Sequence, residues 1–205
     1  MNKSVNFTHD GWSFGYTLKG ELIDLIPLNI SHHKGLVEAV QDGDISNLWY
    51  ARVPSPEDMF DEINRRLDLA DKKQMMPFTV LSKAGKILGM TTYQTLDLDN
   101  KRVEIGYTWY RKSVQRSNVN TEAKFLLLQN AFENMNVIAV GFRTHYFNFK
   151  SRKAIERIGA KLEGVWRNHM ILPDGTIRDT CYYSIINGEW QTVRTHLTWL
   201  LQQNR

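Results

Sequence analysis

The chain is expected to fold as one α/β domain of the α+β kind, a mixed layer of helices built on a single sheet. Three observations predict this. Three strand-like runs, MPFTVLSK, KILGMTTYQTLD and RVEIGYTWY, follow one another across short turns, which predicts a meander of antiparallel hairpins. From residue 103 onward strand and helix patterns alternate, so at least one right-handed β-α-β crossover is expected. The 205 residues are 42% hydrophobic and 23% charged, with no break in composition, a balance that buries one core.

Taken in order, residues 1–20 are polar and aromatic by turns and read as an arm lying across the surface. ELIDLIPL (21–28) alternates as a strand does. SHHKGLVEAVQDG follows as a helix, capped by Asn29 or Ser31 and ended by Gly43. Residues 55–74 read as a clearer helix, with Ser55 as cap, Pro56 in the first position, acids early and lysines late. Met59, Ile63, Leu67 and Ala70 then share one face. In the meander, Ala84-Gly85 separates the first two strands and Asp97 to Asn100 the second and third. A helix beginning at Asn120 or Thr121 places Phe125, Leu128, Phe132 and Met135 on one stripe. VIAVGFRTHY (137–146) reads as a buried strand, and residues 148–160 as a helix ending at Gly159. Two strands flank Pro173-Asp174-Gly175. An amphipathic helix over 188–205 closes the chain, packed on the domain formed by residues 21–187.

Bulk chemistry narrows the function. A net charge of +4 suits an anionic ligand but is too weak for nucleic acid, and the basic residues alternate with acids. Cys181 is the one cysteine, which excludes an internal disulfide and a cysteine zinc cluster; no bound metal is expected. The N-terminal stretch lacks the apolar core of a signal peptide, and no run is long enough to span a membrane. The expected location is the cytoplasm.

Two constellations carry chemistry. The first is QRSNVNTEAK (115–124), a polar loop running into a helix start. Such starts present outward N–H groups and the positive dipole end to anions. Arg111, Lys112 and Arg116 add charge there, and Asn118 and Asn120 tolerate positive φ nearly as well as glycine. A plain helix cap would look the same. The second is Thr144-x-x-x-Asn148-x-x-Ser151, where a strand passes into a helix beside the strand that feeds the first loop. Adjacent strand ends with outward polar groups make a cleft.

Together VEIGYTWY, NTEAKFLLLQNAFENM, the N148-x-x-S151…A-x-x-x-x-G-A…EG series and DGTIRDTCYYSII resemble the GNAT acetyltransferase family. The likeness is greatest to the branch of ribosomal-protein N-terminal acetyltransferases. The resemblance implies a central, mostly antiparallel sheet splayed between its fourth and fifth strands, and acetyl-CoA as acetyl donor. It places the pyrophosphate on the amides of Gln115, Arg116, Ser117, Asn118, Val119 and Asn120. The pantetheine arm would run along the backbone of Trp109, Tyr110 and Arg111, with Asn148 hydrogen-bonded to it and Ser151 beside the sulfur. The family pattern there is Q/R-x-x-G-x-G/A. Asn118 stands where the family has glycine, and a side chain at that position threatens a close backbone approach to phosphate.

Acetyl transfer to an amine needs a held neutral amine, a donor to the oxyanion and a protonated leaving thiol. The N–H of Trp109 or Tyr110 would be that donor if the fourth strand bulges there. Ser151 matches the branch's proton donor to sulfur. For the base, Glu104 and His169 are ranked together, with Glu163 near the matching position. The other histidines considered, His32, His33, His145 and His196, show no metal spacing and are expected at the surface or in caps. Trp49, Tyr50, Phe60, Tyr93, Trp109 and Trp166 could line an acceptor pocket, but most are assigned to the core.

The amine, a protein N-terminus or a small molecule, is expected between residues 29–72 and the turn 171–177. Asp42, Asp44, Glu57, Asp58, Asp61 and Glu62 make that region acidic. The competing class is a non-catalytic acyl-CoA-binding module acting as sensor or partner subunit. A homodimer is compatible with either.

Overall fold

The computed structural model of the protein describes residues 7–9, 12–43 and 45–203. In chain order the elements are β1 (Phe7–His9), β2 (Trp12–Phe14), β3 (Leu18–Lys19), β4 (Ile23–Pro27), α1 (His33–Val40) and α2 (Met59–Asp71). The meander β5 (Met75–Ser82), β6 (Ile87–Asp97) and β7 (Arg102–Tyr110) follows, then α3 (Val119–Gln129) and β8 (Ala139–His145). The chain continues through α4 (Phe149–Arg157), β9 (Lys161–Ile171), β10 (Ile177–Ile186) and α5 (Asn187–Gln203).

Strands β3 to β10 form one sheet in the order β3-β4-β5-β6-β7-β8-β10-β9, with β1 and β2 a separate hairpin. Every pairing is antiparallel except β7 with β8, which α3 connects as a β-α-β crossover. The predicted mixed, mostly antiparallel sheet flanked by helices is therefore the fold.

Helices cover both faces. Tyr93, Val103, Ile105, Leu127, Phe142, Trp190 and Leu197 join the sheet to α3 and α5 in one apolar cluster. Leu36, Met59, Ile63, Met90 and Trp109 join the opposite face to α1 and α2 in another. Burial of apolar area on both faces is the main drive for this layering.

Several local expectations are corrected. Trp12 and Phe14 lie in the first cluster, and Trp12 Nε1 donates to Met135 O at 2.9 Å. The N-terminal segment is thus inserted in the core at these residues, because two large aromatics gain more from burial than from lying on a surface. Residues 1–6, 10 and 11 of that arm lie outside the described residues. The regular part of α2 begins only at Met59, after a turn over residues 56–58, while Ser55 Oγ accepts from Asp58 N at 3.2 Å as a capping serine does. Helix α3 starts at Val119 with Asn118 in the N-cap position, earlier than Asn120 or Thr121, and runs into a π-helical turn at Asn130–Asn134. It is buried nearly all round rather than on one stripe, since α5 packs on the side away from the sheet. Asn29 does cap the short 3-10 turn Ile30–His32 ahead of α1. No helix among the described residues is long and apolar enough to cross a membrane.

Candidate active site

Strands β7 and β8 pair at Arg102 with Ala139, Val103 with Val140 and Glu104 with Gly141, and then stop pairing. Beyond that point β7 runs to Tyr110 and β8 to His145 unpaired with each other. A wedge opens between them, with the edge of β7 as one wall.

Along that wall β7 bulges. Its pairing with β6 jumps from Gly106 opposite Thr92 to Trp109 opposite Met90, so Tyr107 and Thr108 share one partner position. Tyr107 takes a positive φ of 47°. The extra residue inverts the side-chain alternation: Val103 and Ile105 face α3 before the bulge, whereas Tyr110 does after it and Trp109 faces α2. Arg66 of α2 secures the bulge from the α2 side. Its guanidinium donates to Thr92 Oγ1 at 2.9 Å and to Tyr107 O at 3.4 Å, and it pairs with Glu62 at 2.7 Å.

The loop after β7 differs from its sequence reading. Its positive φ falls on Arg116, at 64°, while Asn118 is helical at −73°. Asn118 therefore does not substitute for a glycine's left-handed conformation. Its Nδ2 donates to Leu201 O at 3.3 Å, one of the last-turn carbonyls of α5 that lack a partner in their own helix. Asn118→Gly is accordingly expected to lower unfolding free energy by about 1 kcal/mol, the worth of one neutral hydrogen bond, without relieving any backbone strain. Urea titration of both proteins checks this, and equal midpoints would show that the bond contributes nothing.

Gln115 Nε2 donates to Tyr110 O at 3.1 Å, and Val119 N donates to Ser117 Oγ at 3.3 Å. The first-turn N–H groups of α3, through Asn120, have no partner within the helix. Arg111 is turned away from the wedge. It is 8% exposed, and its side chain binds Asp42 Oδ2 at 2.8 Å and the carbonyls of Ile87 and Glu38. Only its backbone, whose N–H bonds Leu88 O, continues the strand. The side chains of Trp109 and Tyr110 are core, Tyr110 with its hydroxyl buried and without a partner among the described residues, so neither offers a side-chain acid. Lys124, which the sequence reading passed over, is buried under the bulge with Nζ 2.8 Å from Thr108 Oγ1.

On the other wall, Asn148 Oδ1 accepts from Ser151 N at 3.0 Å and so caps α4. Its Nδ2 makes no hydrogen bond among the described residues. The Ser151 hydroxyl likewise has none, so the local back-bonding open to a helical serine is not what it does.

The face of the sheet toward α2 carries a charged aromatic cluster. Glu104 is 4% exposed, and its carboxylate binds Arg143 of β8. Burial raises the Glu104 pKa, against the opposing pull of Arg143. Arg143 lies 4.9 Å over the ring of Trp166, which stacks on Tyr182 and meets His169 edge-on at 4.7 Å. His169 Nδ1 is 2.9 Å from Thr180 Oγ1. Partial burial lowers its pKa, helped by Arg143 and Arg178, which keeps the imidazole neutral at pH 7. Thus the two base candidates share one cluster, with Arg143 between them. Glu163 is engaged by the Ser184 hydroxyl.

A cleft of about 610 Å³ opens beside the bulge, lined by Arg52, Asp58, Asp61, Glu62, Arg65, Tyr107 and Pro173 among others. It joins the two segments expected to receive the acceptor. The acidic set is smaller than its sequence suggests. Asp42 is held by Arg111 and Ser113, Glu62 by Arg65 and Arg66, and Asp44 lies outside the described residues. Of the aromatics, Tyr93 and Trp109 are core, while Trp49, Phe60 and Trp166 are 56%, 50% and 40% exposed. His145 is buried against Trp49 and Phe147 rather than at the surface. Among the described residues no group of three or more histidine, cysteine or acidic side chains could hold a metal.

An open sheet with a splayed parallel pair, a bulged wall and a helix start at its mouth defines a class of α/β protein that takes an extended ligand between strand ends. Residues 23–161 match the family model described as Acetyltransferase (GNAT) domain, and the chain belongs to the GNAT acetyltransferase family. It is 35% identical over 107 residues to the Bacillus subtilis (strain 168) protein named "Putative ribosomal N-acetyltransferase YdaF". That match covers 52% of this chain and 57% of the relative. Among solved structures, a GCN5-related N-acetyltransferase from Brucella melitensis superposes with TM-score 0.80 at 28% identity, over 93% of this chain and 87% of that one. A second structure, from T. thermophilus and described as a "putative acetyltransferase", gives TM-score 0.80 at 27% identity, over 93% of this chain and 99% of that one.

Proposed function

We propose that the protein is an acetyl-CoA-dependent N-acetyltransferase that acts on a primary amine by direct transfer in a ternary complex. The carrying observation is the wedge that opens where β7 leaves β8 at Glu104 and Gly141, with an unpaired strand edge as its wall.

The donor set fits an acyl-CoA. An extended arm with amide groups can pair with the open backbone edge of β7 as an added strand. Asn148 has its Nδ2 free to donate to such an arm, and the α3 start with Arg116 nearby suits a pyrophosphate. When bound, acetyl-CoA supplies an activated thioester. Ser151, its hydroxyl uncommitted, would hold a proton near the sulfur. The N–H groups of β7 after the bulge would donate to the carbonyl oxygen. His169 is the better base of the two candidates, because it is neutral and partly exposed while Glu104 is committed to Arg143. The amine would approach through the cleft beside Tyr107, where Asp58 and Asp61 attract a cation. The similarity to the B. subtilis relative supports a protein N-terminus as acceptor.

Acetyl-CoA is expected to raise the thermal midpoint, since a ligand bound only by the native state stabilises it by mass action. Free thiol should then appear with one or more members of a panel of peptides and small amines. No thermal shift at millimolar acetyl-CoA would sink the donor assignment. A shift without thiol release across the panel would favour the binding-module reading.

A further inference from the structure

One buried charge has no part in the reading above. Lys124 lies in the second turn of α3 and is 7% exposed. Its Nζ donates to Thr108 Oγ1, which is itself 2.8 Å from Thr91 Oγ1 and 3.3 Å from Gly106 O. No carboxylate pairs with it among the described residues, and desolvation lowers its pKa to about 7. A buried cation without a counter-ion is destabilising, and an apolar residue would fill this place among Leu126, Leu127 and Leu128 without that cost.

The elements packed around it do not neutralise it. On α3, Glu122 is occupied by the N–H groups of Glu21, Leu22 and Ile23. On β6, Tyr93 donates to Leu127 O. On β7, the Tyr110 hydroxyl is buried without a partner among the described residues. On α4, Arg157 donates to Thr121, and on α5, His196 bonds Arg157 O.

What Lys124 holds is the bulge. Thr108 is one of the two residues that share a partner position, just where β7 has left β8. Arg66 binds the other, Tyr107, from the α2 side. The strained stretch is thus gripped by a cation from each face of the sheet.

We infer that Lys124 is a positioning residue for acyl transfer: through the Thr108 hydroxyl it fixes the α3 side of the bulge and sets a positive charge beneath the open edge of β7. This rests on the acetyltransferase reading. As ammonium, Lys124 only donates, so Thr108 must accept from it and donate onward to Gly106 O or Thr91. A neutral lysine can accept instead and lets that chain reverse. A positive charge beneath that edge would stabilise negative charge developing on an acyl group held along it.

The test compares wild type with Lys124→Met, Lys124→Arg, Thr108→Val and the double variant Lys124→Met/Thr108→Val. It uses acetyl-CoA and the amine that the panel selects. Lys124→Met and Thr108→Val should each lower kcat roughly a hundredfold, the effect of a small misplacement at a reacting centre. Calorimetric acetyl-CoA affinity should stay within about twofold. The double variant should be no worse than either single one, because the two residues act as a unit. Lys124→Arg, which keeps charge and donor, should recover part of the loss.

Independently of activity, the labelled Lys124 side-chain signal in the ligand-free protein should titrate near neutrality, and lower still in Thr108→Val. A midpoint that Thr108→Val leaves unmoved overturns the inference, because the Thr108 hydroxyl would then not be the partner of the Lys124 ammonium. So does a turning-over wild type whose kcat is matched by Lys124→Met, or by Thr108→Val should the methionine variant not fold. A wild type that neither binds acetyl-CoA nor releases thiol removes the functional reading, and this inference with it.

Discussion

Glu62→Gln is expected to destabilise the protein by about 3–5 kcal/mol, the range for removing one partner of a buried ion pair. Arg66 is fully buried, and among the described residues Glu62 is the one carboxylate it touches, at 2.7 Å. Glutamine keeps the shape but leaves the guanidinium without an anion, facing Thr92 and the Tyr107 carbonyl alone. The pH dependence has a definite sign. Burial alone would raise the Glu62 pKa, but Arg65 and Arg66 together bring it below its ordinary value. A depressed native pKa stabilises the fold above the unfolded value of about 4.3 and loses that contribution as pH falls through the native one. Urea unfolding at pH 7 and pH 3 should therefore separate wild type from variant widely at the first pH and less at the second. A difference under about 1 kcal/mol at pH 7 would place this pair among ordinary surface bridges.

Gly89→Ala should cost about 3 kcal/mol or more, at the upper end of overpacking penalties. Gly89 has φ +154°, and a Cβ there would stand 2.1 Å from Trp109 O and 2.9 Å from Tyr110 Cα. Both are backbone atoms and cannot rotate aside. Strand β7 would have to move off β6 at the residues that form the wall of the wedge. Acetyl-CoA binding should therefore fall together with stability, unlike in Asn118→Gly, whose side chain points to α5. Thermal unfolding with and without acetyl-CoA measures both effects. A variant that keeps its midpoint and its ligand shift would show that the strands separate there freely.

Much of the fold was legible. The hairpin meander from Met75 to Tyr110 was readable because each strand is bounded by turn residues, and local chemistry decides turns. The wedge was indicated by NTEAK and N-x-x-S, which mark two neighbouring strand ends. Arg66 was in view too: it falls on the helical stripe of Met59 and Ile63, and a charge on an apolar stripe signals a buried partner. Lys124 gave a weaker signal, a lone cation at the start of the apolar run FLLL. Arg143 gave none, since only the pairing of β8 with β7 and β10 brings it to Glu104 and Trp166.

The sequence by itself indicated the order of elements from β4 onward, the mixed sheet with a crossover and the resemblance to the family, but not the strands β1 to β3. What it indicated follows from periodicities and motifs carried within short stretches. Tertiary structure alone decided that Asn118 ties α3 to α5, that Asp42 serves Arg111, and that Trp12 and Phe14 enter the core. It also decided where the bulge inverts β7 and which cations grip it. Each of these depends on a partner in another element rather than on sequence neighbours. A side chain's preference for positive φ, for water or for an anion settles its role only once packing has chosen which partner arrives.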